Sequence, residues 1–209
     1  MLEAMIKSIL FHPSTTFVIG MFMGAAGIIG FLSSCAAPNK TADRVAAYRD
    51  ALARAGEVGP AAGSAAEKAA LERFTQFLQH IGDQQYIREN VSKTYRSDAY
   101  LDDTLTTHYG AAQIETYFLK TADSLTDAHV TIDDVVRSGS DHYIRWTMVM
   151  AAKPLAGGSP VHSIGISQIR FDSEGKVAIH QDFWDSGENF FGRLPVAGGI
   201  INLIRKRLQ

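Results

Sequence analysis

Three side chains able to do chemistry recur at every second position late in the chain: His180, Asp182 and Trp184. Residues two apart on a strand share one face of a sheet. An imidazole, a carboxylate and an indole aimed to one side either line a pocket or sit in a satisfied polar core. They lie in the second of two strands predicted between Val161 and Gly187, joined by the turn Asp172-Ser173-Glu174-Gly175. In the first of these, Ser163, Gly165, Ser167, Ile169 and Phe171 share one parity, and Ile164, Ile166 and Gln168 share the other.

The elements that must position this hairpin follow from local patterning. Ser64-Ala65-Ala66-Glu67 reads as a capping box. It opens a helix whose Leu71, Phe74, Phe77 and Leu78 recur at helical spacing through Ile81. Gly82 ends it, and Asp83 caps a second helix running to about Tyr95. A short strand is predicted at Asp98–Asp103, a connection at Thr104–Tyr109 and a helix at Gly110–Leu125 that buries Ile114, Tyr117, Phe118 and Leu125. Asp127–Arg137 alternates as a strand, with a slip at Val135-Val136. His142–Ala152 is a long strand, with Tyr143, Arg145, Thr147 and Val149 on one face and His142, Ile144, Trp146, Met148 and Met150 on the other. Lys153–Pro160 is a loop. Helix, helix, strand, helix and then four strands predicts an α+β fold. Its mostly antiparallel curved sheet would wrap into a cone with packing helices and one open mouth.

Composition narrows the function. The chain has 209 residues, 46% of them apolar and 20% charged, with a net charge of −2. No global basic field is present to attract nucleic acid, so no nucleic-acid partner is expected. One cysteine, Cys35, excludes an internal disulfide. His129, His142, His162 and His180 are scattered without ligand spacing, so no metal site is expected. No phosphate loop, nucleophile elbow or cofactor motif occurs, and no cofactor is expected.

The amino-terminal region sets the expected cellular address. Phe17–Leu32 carries no charge and leads into Leu32-Ser33-Ser34-Cys35. This pattern resembles a bacterial lipobox, which implies cleavage before Cys35 and lipidation there. Extended to Ala37, the same run is long enough to cross a bilayer uncleaved, and Gly20-x-x-x-Gly24 adds a small-residue face. These two readings stay open beside a soluble or mis-started amino terminus, and both of them hold the domain at a membrane in the cell envelope, facing the periplasm. The expected division is a signal or anchor at 1–35, a tether with a short helix at 36–63, and a domain at 64–209. At the far end, Ile200, Ile201, Leu203, Ile204 and Leu208 make an apolar helix face beside Arg205, Lys206 and Arg207. That face either packs on the sheet or rests on anionic lipid.

Several motifs together resemble the SnoaL-like branch of the nuclear transport factor 2-like superfamily. They are Tyr100-Leu101-Asp102-Asp103, the step to Gly110, Ile114-x-x-Tyr117-Phe118, Arg170-Phe171-Asp172-x-x-Gly175-Lys176-Val177 and Asp182-Phe183-Trp184-Asp185. The superfamily includes polyketide cyclases, ketosteroid isomerases and limonene epoxide hydrolases. By this resemblance Asp103 matches the isomerases' general base, whereas Phe74 or Thr75 and Ser167 stand near the positions of their oxyanion-hole Tyr and acid. Asp182 is the nearest match to the cyclases' acid. The epoxide hydrolases' Asp-Arg-Asp set would need Arg145 between Asp103 and Asp182, and its parity places it opposite Trp146. The resemblance thus nominates Asp103 and Asp182 as catalytic acids, with Trp146, His180, Trp184, His108 and Ser167 as pocket neighbours. The bland alternatives are that Asp103 only starts a turn and that the tryptophans and His180 are core. The expected function is binding of a small apolar molecule or a partner in the cone pocket. The alternative is a cofactor-free isomerase, cyclase or hydrolase using the two aspartates. Dimerisation through the open sheet face, common among relatives, is a further expectation.

Overall fold

The computed structural model describes residues 41–152, 158–194 and 196–208. The apolar run, the lipobox and Cys35 lie outside the described residues. The elements are α1 (Thr41–Ala55), α2 (Ala65–Gln79), α3 (Gln84–Thr94), β1 (Tyr95–Asp102), β2 (Thr107–Tyr109), α4 (Ala111–Ser124), β3 (Leu125–Ser138), β4 (Asp141–Ala152), β5 (Val161–Phe171), β6 (Val177–Trp184), α5 (Ser186–Asn189), a 3-10 turn (Phe191–Arg193) and α6 (Ala197–Leu208). The fold is α+β. One curved mixed sheet, ordered β2-β1-β6-β5-β4-β3, is packed by helices. Every neighbouring pair is antiparallel except β1 and β6, which run parallel.

The expected caps form. Ser64 Oγ accepts the Glu67 backbone N–H, and Asp83 Oδ1 accepts from Gln85 and Tyr86. The Glu67 carboxylate reaches back to the Gly63 N–H rather than to Ser64 itself. Phe74, Phe77, Ile87, Val91, Ile114 and Phe118 pack onto the inner face of the sheet, against Ile144, Trp146, Ile169 and Phe171. Burying each such side chain contributes roughly 1.5–3 kcal/mol. The slip expected in β3 is a bulge: Ile132 pairs with Trp146, and Asp134 already pairs with Arg145.

Two elements differ from the sequence reading. The expected connection at Thr104–Tyr109 contains the edge strand β2, because the carboxylates of Asp102 and Asp103 fold the loop back on β1. Gly110 follows at φ +78° with its N–H on Ala99 O. A Cβ there would meet Ser97 O at 2.7 Å, so only glycine fits. The second difference is α1, which does not behave as tether. It lies on the outer face of the sheet, where Ala51, Tyr100 and Ile179 form a second small core with Tyr48 and Leu52. The Tyr48 hydroxyl donates to Gln168 Oε1 at 2.7 Å, and Arg44 pairs with Asp102 at 3.5 Å. An alanine-rich helix needs only a narrow apolar stripe to dock, here Ala47, Tyr48, Ala51, Leu52 and Ala55, while Val45 stays exposed. Elsewhere on the outer face, among the described residues, Ile164 is 67% and Phe183 52% exposed.

Candidate functional site

The site is built on the inner face of β5 and β6. Ser167 pairs with Asp182, Ile169 with His180 and Gly165 with Trp184. Strand alternation therefore sets Ser167, His180, Asp182 and Trp184 on one surface, and Trp146 joins them from β4. The Trp146 ring lies flat over Gly165, where a Cβ would come within 2.2 Å of it.

Hydrogen bonding here has a fixed direction. An indole N–H only donates, so Ser167 Oγ accepts from Trp146 Nε1 at 3.0 Å and its own hydroxyl donates to Asp182 Oδ1 at 2.5 Å. The Tyr95 hydroxyl is buried and has one partner among the described residues, His180 Nδ1 at 2.9 Å. Leaving that hydroxyl proton unbonded would be costly, so Tyr95 donates and His180 Nδ1 accepts. The imidazole proton then sits on Nε2, which donates to Asp182 Oδ1 at 2.9 Å. Burial first, and then the Asp182 charge, pushes the Tyr95 phenol well above its ordinary pKa, so the donor keeps its proton. Two donors thus converge on one Asp182 oxygen. No donor of the described residues reaches the other oxygen, and the side chain is 17% exposed.

Asp103 is arranged differently. Its Oδ1 accepts the backbone N–H groups of Leu105 at 2.9 Å and Thr106 at 2.6 Å, with the Thr106 hydroxyl at 3.3 Å. Its Oδ2 accepts the Tyr117 hydroxyl at 2.6 Å. These bonds close the 103–106 turn, in which Thr104 has φ +73°. Trp184 Nε1 donates to the Asp103 carbonyl at 2.7 Å, tying the end of β6 to this turn. His108 bonds Thr106 Oγ1 and stacks on Tyr117 with centroids 4.6 Å apart. Burial holds the His108 pKa below its ordinary value, against the pull of Asp103 and Asp102. Tyr117 lies within electrostatic reach of both acids. Desolvation, then Asp103 and lastly Asp182 hold its phenol well above the usual range.

All seven residues nominated from sequence gather around the inner face and its open end, in two groups. Asp182, His180, Ser167 and Trp146 form one, and Asp103, His108 and the Trp184 indole form the other. The hollow expected between them is packed. Trp146 covers Gly165, and Phe74, Phe77, Tyr95 and Phe118 fill the space behind. Among the described residues, two open grooves are found on the surface instead. One lies along α1 beside Tyr109, the other among Pro160, His162, Ile164 and α5, and neither includes Asp103 or Asp182. Large aromatic side chains on the inward parity close the space that the backbone curvature would leave open. Arg145 is exposed on the outer face, so no Asp-Arg-Asp set assembles.

Sequence reasoning missed Tyr95 and Tyr117 as site residues. Tyr117 carried a signal, since a tyrosine on a buried helix face needs a partner for its hydroxyl. Tyr95 carried none, because it stands where α3 passes directly into β1 and reads as the helix end. Among the described residues, no three metal-ligating side chains gather and no helix is long and apolar enough to cross a membrane.

No curated protein matches the chain. Solved structures do. One is a hypothetical protein with a ketosteroid isomerase-like fold from Catenulispora acidiphila DSM 44928, in complex with trimethylamine. It is 19% identical with a TM-score of 0.52, covering 61% of this chain and 95% of that one. A candidate SnoaL-like polyketide cyclase from Jannaschia sp. CCS1 is 16% identical with a TM-score of 0.51, covering 60% and 92%. An LEH-like epoxide hydrolase from M. tuberculosis is 16% identical with a TM-score of 0.50, covering 66% and 97%. At such identities these likenesses establish the nuclear transport factor 2-like fold and leave the chemistry open. The SnoaL-like domain family model matches residues 74–180, from the buried Phe74 of α2 to His180 beside the candidate carboxylate, and the chain therefore belongs to the SnoaL-like domain family.

Proposed function

We propose that this SnoaL-like domain binds a small molecule at the open end of its inner face, through Asp182, while its amino-terminal segment holds it at a membrane of the cell envelope. The observation that carries the binding reading is the half-satisfied carboxylate. Ser167 and His180 fix one oxygen of Asp182 and so aim the other, which has no donor of its own and lies at a partly exposed position. Such an oxygen suits a compact ligand that presents one hydrogen-bond donor or a cationic group. The packed interior favours a small ligand over a large apolar one. Trp184, partly exposed, offers an apolar surface two residues along the same strand face. The anchoring reading is supported by the uncharged run Phe17–Leu32 and by Leu32-Ser33-Ser34-Cys35.

One observation favours a second reading, cofactor-free proton transfer. Tyr95, His180 and Asp182 form a continuous directed chain of hydrogen bonds ending on the carboxylate. In that reading the free oxygen takes a proton from a carbon beside a carbonyl and returns it elsewhere on the substrate.

Native mass spectrometry of the full chain, extracted in detergent from its source, tests the binding reading. A retained small molecule that is lost in Asp182→Asn supports it. Retention unchanged in the variant, or no ligand from the source and none from a panel of small amines and carbonyl compounds, removes it. Deuterium incorporation from heavy water into such carbonyl compounds would separate the catalytic reading. Fatty-acid labelling that disappears in Cys35→Ser supports the lipidated anchor. Unlabelled but membrane-retained protein supports the uncleaved one, and recovery in the aqueous fraction removes both.

A further inference from the structure

The helix α6 presents its apolar stripe to solvent rather than to the sheet. Ile200, Leu203, Ile204 and Leu208 are 57%, 56%, 54% and 82% exposed, and their spacing puts them along one side of the helix. The other side holds α6 to the domain at two points. Gly198 packs against the Gly192 backbone, and Arg205 pairs with Asp185 at 3.2 Å and with Glu188. Lys206 and Arg207 are exposed at its end, and no acid follows Glu188 in the chain. Chain length adds a second, independent constraint. With α1 held to the domain from Arg44, which reaches Asp102 and the Thr104 carbonyl, the stretch between Cys35 and the fold is eight residues, 36–43. An extended chain spans at most ~3.5 Å per residue, so a fold attached at Cys35 begins within roughly 30 Å of the attachment point.

We propose that α6 is an interfacial helix that seats its apolar stripe in an anionic bilayer surface, with Lys206 and Arg207 among the headgroups. This is a second contact that turns a tethered domain into an oriented one. It rests on the anchored reading for its geometry, and its charge requirement is separately testable. The full chain carries Cys35→Ser and Ile200→Cys, with an environment-sensitive dye on the new thiol. It is reconstituted with vesicles of neutral phosphatidylcholine, or of phosphatidylcholine mixed with anionic phosphatidylglycerol. On anionic vesicles the emission shifts to the blue and iodide quenching falls several-fold, and on neutral vesicles neither changes. Lys206→Glu with Arg207→Glu weakens the anionic response ~10-fold or more, as does high salt. Flotation of the parent chain, which keeps Cys35, with the neutral vesicles reports the amino-terminal anchor on its own, so its failure is distinguishable from failure of α6. Equal exposure of the dye on both vesicle types overturns the proposal. So does a blue shift without vesicles that grows with protein concentration, which would mean that a second copy covers the stripe.

Discussion

The inner side of this sheet carries two acid–histidine pairs that look alike in a list of contacts and differ in what is left over. Glu67 and His142 meet at 2.8 Å, and Asp182 and His180 at 2.9 Å. Glu67 is saturated. Its Oε1 takes His142 and Arg137, and its Oε2 takes the Gly63 N–H, so one carboxylate fastens the start of α2, the preceding loop and the β3–β4 hairpin. Its His142 is backed by Phe171, and the Nδ1 atom has no partner among the described residues. In the second pair the surplus is reversed. His180 is bonded at both nitrogens, and the carboxylate keeps one bare oxygen. Asp103 sides with Glu67, since both its oxygens serve its own turn and Tyr117. A carboxylate whose acceptor capacity is filled by protein is a structural fastener, and one held by a single oxygen is available to something else.

The largest effect should come from the fastener. Glu67→Gln removes the charge that Arg137 and His142 share, and breaking a buried pair on one side costs about 3 kcal/mol. For a domain of this size that lowers Tm by roughly 6–12 °C. The hydrogen bond from His142 is the main reason the Glu67 pKa falls from 4.5 to about 2, with Gly63 and Arg137 assisting against burial. A folded-state pKa below the unfolded one contributes stability that is complete above about pH 4.5 and is lost as pH falls toward 2. Melting curves of the parent between pH 7 and 3 should therefore decline along a limb that is flatter in Glu67→Gln. Parallel curves would break the comparison from this side.

A somewhat smaller loss is expected from Gly165→Ala. The added methyl meets the Trp146 ring at 2.2 Å, and a flat indole cannot yield as a flexible chain would. Overpacking of this kind costs about 2 kcal/mol. It should also lift the Trp146 N–H off Ser167, visible as a shift of one of only two indole N–H resonances. Asp103→Ala comes next, at about 1–2 kcal/mol, because it strands the Leu105 and Thr106 N–H groups and the Tyr117 hydroxyl. If Asp103→Ala abolished ligand retention while leaving stability unchanged, Asp103 would belong with Asp182 and not with Glu67.

Much of this arrangement was legible in the chain and part was not, for reasons that lie in particular residues. Period-two spacing put His180, Asp182 and Trp184 on one face because a strand has no other way to present them, whereas Ser167 was nominated through the family resemblance and the hairpin register sets it opposite Asp182. The caps at Ser64 and Asp83 were legible because capping is local. The role of Glu67 was not. A capping box accounts for a glutamate at that position, and nothing nearby announces that Arg137 and His142 will arrive from 70 and 75 residues away. The same limit hid Tyr95, 85 residues from His180. The docking of α1 was missed because its stripe is narrow and its partners, Tyr100 and Ile179, sit on the face assumed to be open. Hollowness was misjudged because strand parity tells which side chains point inward and not how much space they fill: the Trp146 ring spreads over Gly165 of the next strand, and Phe74, Phe77, Tyr95 and Phe118 pack behind it.

The smallest change in stability should accompany the sharpest change in binding, and Asp182→Asn is where the two separate. An asparagine can turn its carbonyl oxygen toward Ser167 and His180, so both donors that now converge on Oδ1 keep an acceptor. Its amide nitrogen then replaces the bare oxygen. The fold loses less than about 1 kcal/mol, a Tm change of ~4 °C at most. The exposed atom changes from acceptor to donor. A ligand donor that met a carboxylate now meets an N–H, and a hydrogen bond to a charged group, about 1.5–3 kcal/mol, becomes a repulsive contact. Affinity for such a ligand should fall at least ~10-fold, and up to ~100-fold, while the domain melts almost as before. If Asp182→Asn instead melts as early as Glu67→Gln and any ligand is held as tightly, both pairs are fasteners and the bare oxygen has no occupant. Titration and melting of the same two variants, side by side, decide between these outcomes.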